Sequence, residues 1–259
     1  MNLRFLGGVR EVGRSALLVN DLLIDYGMKT SKPPQYPIDS TVEPDAVVAS
    51  HGHLDHVGAI PTLMSDFPTV YQTPPTRDLT RLLAEDTLDI TAHHRSPFSQ
   101  EDILRLSQTA ETHSYGERFE AAGFECEFRD AGHIPGSASV LVEGNETRLL
   151  YAGDINTTPT RLLSPASSPP SADTLVTDST YFNHSHSDRE KLEDEFVQSV
   201  RTTLYEGGNV VIPVFAIGRT QEILMVLERH DIPCYVDGMG TEVTQIVRQY
   251  SEYLRDPDA

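Results

Sequence analysis

The chain reads as an α/β protein. Three observations point there: short apolar runs closed by turn residues in the first half, helical stripes between them, and strict alternation of short strand and helix patterns after position 173. At 259 residues the length exceeds that of a usual single core, with room for one large domain or one domain plus part of a second.

Taken in order, Ala16 to Val19 and Leu22 to Ile24 are short strands joined by Asn20-Asp21, a two-residue hairpin signal. Ala46 to Ala49 follows Pro44 as a third strand and leads straight into His51. Thr76 to Ala92 carries Leu79, Leu82, Leu83 and Leu88 on one stripe and predicts a helix, as does Gln100 to Ser107. Extended segments return at Phe124 to Phe128, Ala138 to Val142 and Arg148 to Ala152. Ser164 to Ala172 holds three prolines, which remove donors and fix φ, so it is a surface connection. Beyond it, strands are expected at Thr174 to Thr177, Val210 to Phe215 and Pro233 to Val236. Helices are expected at Asp188 to Glu206, Arg219 to Glu228 and Thr241 to Leu254. Such alternation implies a parallel sheet.

Composition excludes several classes. No stretch approaches the ~18 unbroken apolar residues of a spanning helix, and the start has no cleavable apolar core, so a soluble cytoplasmic protein with no membrane partner is expected. Cys126 and Cys234 fit no metal or redox spacing and are expected as two buried thiols. The 39 acidic residues outnumber 20 basic ones, for a net charge of -19, and only Lys29, Lys32 and Lys191 are lysines. That balance resembles proteins of salt-loving cells, where screening cancels self-repulsion. It argues against nucleic-acid binding through a broad basic surface, but not against gripping phosphate through a metal.

The chemistry concentrates in Ser50-His51-Gly52-His53-Leu54-Asp55-His56, directly after a strand. In extended backbone, side chains at i and i+2 point the same way, so His51 and His53 can bite one metal ion. Asp55 and His56 fall where the chain turns into a helix and can face a second. His133 lies among small residues in Asp130-Ala131-Gly132-His133-Ile134-Pro135-Gly136, Asp154 ends an apolar strand, and Asp25 ends another. An ordinary loop histidine and two turn-forming aspartates would look the same one by one.

In order, Asp25, His51-x-His53-x-Asp55-His56, His133 and Asp154 resemble the first four motifs of the metallo-β-lactamase fold. The opening Gly7-Gly8-Val9-Arg10-Glu11-Val12-Gly13-Arg14-Ser15, the run Ser50 to Pro61 and the segment Asp178-Ser179-Thr180-Tyr181 are similar to its nucleic-acid-processing branch, the β-CASP nucleases. So are Ile212 to Arg219 and Tyr235 to Met239, which look like the sheet of that branch's inserted domain. Within the branch the chain is most similar to archaeal relatives of the cleavage and polyadenylation specificity factor nuclease, and somewhat less to ribonuclease J.

The resemblance implies an αββα sandwich at 1–178, lacking its C-terminal return segment, and a partial, inserted α/β β-CASP domain at 179–259. It implies two Zn2+ ions, one on His51, His53 and His133 and one on Asp55 and His56, with Asp154 bridging. Asp25 would orient a ligand imidazole from behind. A water activated between the ions would attack phosphorus in line, and Asp178 would position the group that protonates the leaving oxygen. Two further histidines close the family's site, whereas the last histidine here is His230, at a helix end. The second metal position is therefore expected to be one ligand short and turnover poor, unless a longer chain or a partner supplies the rest.

The expected function is a zinc-dependent ribonuclease acting in RNA 3′-end processing or decay, with RNA as partner and a homodimer left open. Manganese or iron would also suit the donors. Competing expectations are hydrolysis of small esters or thioesters, a DNA-directed nuclease, and a metal-binding scaffold without catalysis. His93-His94 and His113 are expected on the solvated surface, and His184 and His186 beside the cleft. Arg77, Arg81, Arg95, Arg161 and Arg219 are candidates for phosphate contact, with pairing to surface carboxylates the commoner fate.

Overall fold

The computed structural model describes residues 1–38, 41–91 and 96–258. The expected helix end at Ala92, the pair His93-His94 and Arg95 lie outside the described residues.

Two sheets form the centre. The first has six strands in the order β1 (Leu3–Gly7), β2 (Ala16–Val19), β3 (Leu22–Ile24), β4 (Ala46–Val48), β5 (Thr69–Gln72) and β6 (Ala110–Thr112). β1 to β3 pair antiparallel and β3 to β6 pair parallel. Asn20, at φ 51°, closes the expected hairpin and places Val19 opposite Leu22. The second sheet runs β7 (Arg118–Ala121), β8 (Phe124–Asp130), β9 (Ala138–Gly144) and β10 (Thr147–Tyr151) as an antiparallel meander, with β11 (Thr174–Val176) parallel to β10.

Strand alternation decides which face each sheet buries. Leu17, Val19, Ile24 and Val48 of the first sheet meet Phe124, Cys126, Phe128, Val140, Val142 and Leu149 of the second in one dry core. The outer face of the second sheet is charged instead: Arg118 pairs with Glu125, Arg148 with Glu143 at 2.5 Å and Arg129 with Glu127 at 2.6 Å. Leu23, Val47 and Val70 point to the other side of the first sheet, where helices cover them. These are α1 (Leu54–Val57), α2 (Pro74–Thr91) and α3 (Gln100–Thr109). Helix α3 starts on a capping box in which Ser99 and Asp102 satisfy each other's backbone N–H.

The C-terminal quarter contributes α4 (Arg189–Tyr205), α5 (Arg219–Arg229) and α6 (Met239–Gln249). It is seated on the helical side: Ile217, Val243 and Val247 join the core over the first sheet. The Tyr250 hydroxyl donates to Asp78 (2.7 Å) and accepts from Arg77 (3.1 Å). The buried Glu222 carboxylate accepts the backbone N–H groups of Arg161 and Leu162, both at 2.8 Å, while Arg161 forks onto Glu193.

Four expectations need correction. Val210 to Phe215 and Pro233 to Val236 are not strands: neither has a hydrogen-bonded neighbour, and Val211, Phe215 and Tyr235 are more than 80 % exposed. An apolar run becomes a strand only where a ladder partner and a facing layer exist. Cys126 is buried, which pushes its thiol up to about 12, but Cys234 sits in the second unpaired run and is exposed. His113 is not solvated; its ring stacks on Phe119 at 4.4 Å and 10°, and Nδ1 lies 2.8 Å from Glu117.

Candidate metal centre

The parallel strand β4 and the hairpin ends of the second sheet open at one edge of the sandwich. Four chain segments deliver side chains there. His51 and His53 leave the end of β4, and Asp55 and His56 lie on the short α1. His133 comes from the β8–β9 connection, and Asp154 follows β10. The Ala138 N–H donates to the Ser50 carbonyl (2.8 Å) and ties the second sheet to the motif strand.

Close backbone approach is what lets α1 sit at this edge. The N–H groups of Ser15, Tyr26 and Met28 donate to the carbonyls of Asp55, His56 and Leu54. Gly27 lies so near that a Cβ placed on it would fall 1.7 Å from the Asp55 carbonyl oxygen, so no side chain is tolerated there. At Gly153 the reason is the left-handed conformation, φ 59°, that turns the chain from β10 toward Asp154.

Single ligand atoms of His51, His53, His133 and Asp154 all lie within 4.8 Å of one another. His133 Nε2 is 3.2 Å from His53 Nδ1. The Asp154 carboxylate stands between two groups: Oδ2 is 3.6 Å from His133 Nε2 and 4.0 Å from His51 Nε2, whereas Oδ1 is 3.3 Å from His56 Nε2. His51 Nε2 is buried with no hydrogen-bond partner. Burying such an atom costs on the order of 1–3 kcal/mol unless something fills its lone pair. Three imidazole nitrogens, the orphan among them, and a carboxylate gathered at one point fit a divalent transition metal, so this cluster can hold a metal ion.

The electrostatics agree with ligand duty. Burial holds His51 well below the usual histidine range, reinforced by the imidazoles of His56, His53 and His133. Burial lowers His53 as well, against the pull of Asp55, and brings His133 down to about 4. These rings are neutral near pH 7, the form that binds metal. His56 is the exception: burial pulls it down, but Asp25 and Asp154 outweigh that and hold it well above the usual range. Burial would raise Asp154; His56 and the other imidazoles bring it to about 2.

Asp25 lies behind the histidine cluster. It is fully buried, in the left-handed region at φ 58°, and its Oδ2 accepts His56 Nδ1–H at 2.7 Å. Asp55 is half-buried on α1, outside the four-atom group but close enough to act on His53. Asp178 is exposed, with Thr180 N–H donating to it at 3.3 Å, and among the described residues it makes no hydrogen bond or ion pair with the histidine cluster. It leaves β11 at the same sheet edge where Asp154 leaves the neighbouring parallel β10. His184 and His186 are exposed and touch the ring of Tyr181. His230 caps the end of α5.

Sequence reasoning missed Ser50, Ser15, Tyr151 and the Ile217 backbone. Ser15 Oγ approaches His56 Nε2 at 3.5 Å, and Ile217 hydrogen-bonds the His53 ring. Ser50, next to His51, had a positional clue; Tyr151 looked like one more apolar strand residue. Of the candidate arginines, Arg77, Arg81 and Arg161 pair with carboxylates. Arg219 makes no ion pair with any described carboxylate and acts on His133.

A helix-covered sheet faces a second sheet, with a histidine and aspartate cluster that can hold a metal ion at one edge. A family model described as a β-lactamase superfamily domain matches residues 19–202, and the chain belongs to that superfamily. Over 99 % of its length it is 36 % identical to "Probable RNase MJ4" of Methanocaldococcus jannaschii, covering 64 % of that protein. It is 34 % identical to "RNase aCSPSF2" of Saccharolobus solfataricus, again over 99 % of this chain and 54 % of the relative. Over 96 % of its length it is 39 % identical to "Transcription termination factor FttA" of Thermococcus kodakarensis, covering 44 % of that protein. The chain thus spans between 44 % and 64 % of the length of these relatives. Among the described residues no helix is long and apolar enough to cross a membrane.

Proposed function

We propose that this chain carries the metal centre of a zinc-dependent ribonuclease of the β-CASP branch, acting on RNA phosphodiesters in 3′-end processing or decay in the cytoplasm. One observation carries the reading. The Asp154 carboxylate turns one oxygen to the His51 and His133 side and the other to His56, the posture of a bridge between two metal positions. Relatives named as ribonucleases support RNA as the substrate.

His51, His53 and His133 would hold one zinc, Asp55 and His56 the other, and Asp154 would touch both. Bound zinc supplies a nucleophile at neutral pH and neutralises charge on phosphate oxygens. The remaining work belongs to the protein. Asp25 keeps the His56 ring turned to the site, and burial keeps His51, His53 and His133 in their neutral, ligating form. Arg219, free of a described carboxylate partner beside His133, would fork onto a phosphate next to the scissile one. Asp178, at the edge it shares with Asp154, would position the group that protonates the leaving oxygen. Residues 1–178 form the metal-binding domain in this reading, and 179–259 part of the β-CASP domain. With a net charge of -19, RNA would be held by metal and stacking more than by surface charge.

Incubating the chain with end-labelled RNA, single-stranded DNA and a thioester, each with zinc and with chelator, tests this. Zinc-dependent cutting of RNA in preference to the other two is expected. Thioester hydrolysis without RNA cleavage would reverse the assignment.

A further inference from the structure

The hydrogen bonds behind the metal cluster converge on a single carboxylate. Asp25 Oδ1 accepts the Ser50 backbone N–H at 2.7 Å. Its Oδ2 accepts the Ser50 hydroxyl at 2.7 Å, His56 Nδ1–H at 2.7 Å and the Tyr151 hydroxyl at 2.8 Å. All four residues are buried, Asp25 and Ser50 completely. Ser50 Oγ also lies 3.0 Å from His51 Nδ1.

A hydroxyl has one proton to give. The carboxylate is the stronger acceptor, so the Ser50 proton goes to Asp25, and Ser50 Oγ can meet His51 only as an acceptor. His51 must then carry its proton on Nδ1. That leaves the lone pair on Nε2, the buried atom without a partner that faces His133 and Asp154. The same logic holds at His56: Nδ1–H donates to Asp25, so Nε2 faces Asp154.

We propose that Ser50 is a positioning residue through which Asp25 sets the ring tautomer of His51 as well as that of His56, so that one buried carboxylate prepares a ligand of each metal position. Tyr151 is the second prop. Its hydroxyl occupies the Asp25 oxygen from the second sheet and holds the carboxylate at the angle that serves both donors. This rests on the reading of His51 and His56 as metal ligands, but the tautomer itself is a property of the protein without metal.

Long-range 1H–15N correlation spectra of the metal-free, 15N-histidine-labelled chain read the tautomers directly, with chelator competition giving zinc affinity. In the parent, His51 is expected in the neutral Nδ1–H form, and His56 with its Nδ1–H on Asp25 and, without metal, a second proton on Nε2 toward Asp154. Ser50→Ala should leave His56 in that form, release His51 to the Nε2–H form or a mixture, and weaken the tighter zinc by about ten- to a hundredfold. Ser50→Thr keeps the hydroxyl and should restore both readouts. Tyr151→Phe should keep both tautomers and weaken zinc by a few-fold, on the order of the low end of such outer-contact effects. An Nε2–H His51 in the parent overturns the relay, as does a folded Ser50→Ala chain with unchanged tautomers and affinity. If Ser50→Ala does not fold, the parent spectrum decides. A parent that binds no zinc while both rings are Nδ1–H overturns the metal reading and leaves the relay standing.

Discussion

The two ends of the molecule treat their apolar segments differently. In β2 to β4 every strand has a partner on each side, and Leu23, Ile24, Val47 and Val48 are fully buried. In the C-terminal quarter, Val210 to Phe215 and Pro233 to Val236 have no ladder, and their large side chains meet solvent. The lesson is that every candidate metal donor, from His51 to Asp154, is delivered by the region whose strands are paired into sheets, so the site's geometry does not depend on strands in the last quarter. The C-terminal quarter adds a lid of contacts, Ile217 on His53 and Glu222 on the 161–162 backbone.

The sharpest way to break this contrast is a pair of truncations measured by urea unfolding. Leu23→Ala, at a fully buried position, should cost about 2–5 kcal/mol, whereas Phe215→Ala, 81 % exposed, should stay within about 0.5 kcal/mol. Equal losses would mean that the C-terminal segments are packed in solution.

Acidification probes the site region next. His133 titrates at about 4 in the folded chain, against ~6.5 when unfolded. Between those values the unfolded chain binds a proton that the folded chain does not, so this group's stabilisation is lost as pH falls from ~6.5 to ~4, by roughly 3 kcal/mol. His56 works in the opposite sense, since its raised value gives stability below ~6.5 that disappears as pH rises through the folded value. Metal-free His133→Asn should therefore lose less stability than the parent between pH 7 and 4. An identical slope would contradict the burial of that ring.

Backbone approach comes third. Gly27→Ala should cost about 1–3 kcal/mol by pushing α1 outward, and should weaken zinc binding where a surface glycine change would not. The smallest effect is expected at Arg219→Ala, which should raise KM for RNA by about tenfold with kcat little changed, as one lost phosphate contact of about 1.4 kcal/mol would do. A fall in kcat alone would give Arg219 a different role.

Much of the metal-binding region was legible because its signals are local. The Asn20-Asp21 hairpin, the α2 stripe and the His51-x-His53 pair each depend on a few neighbouring residues; the first two stand in the structure, and His51 and His53 bring ligand atoms together with His133 and Asp154. Strands β1, β5, β6 and β7 were not foreseen, since Ala110-Glu111-Thr112 becomes a strand only by lying beside β5. The strand patterns at 210 and 233 failed for the converse reason, apolar alternation without a partner. His113 looked polar in sequence and became an aromatic neighbour because Phe119 and Tyr71 come from other strands. The hub at Asp25 was half visible: the motif order implies that it orients a ligand imidazole without saying which, and the Tyr151 contact spans 126 positions and has no local trace.

Anomalous diffraction at the zinc edge from crystals grown with zinc tests the central claim most directly. A strong peak is expected within about 2.0–2.2 Å of donor atoms from His51, His53, His133 and Asp154, with a weaker one on the His56 side of Asp154. A zinc-loaded crystal with its peaks elsewhere, or with His51 Nε2 still unliganded, would contradict it.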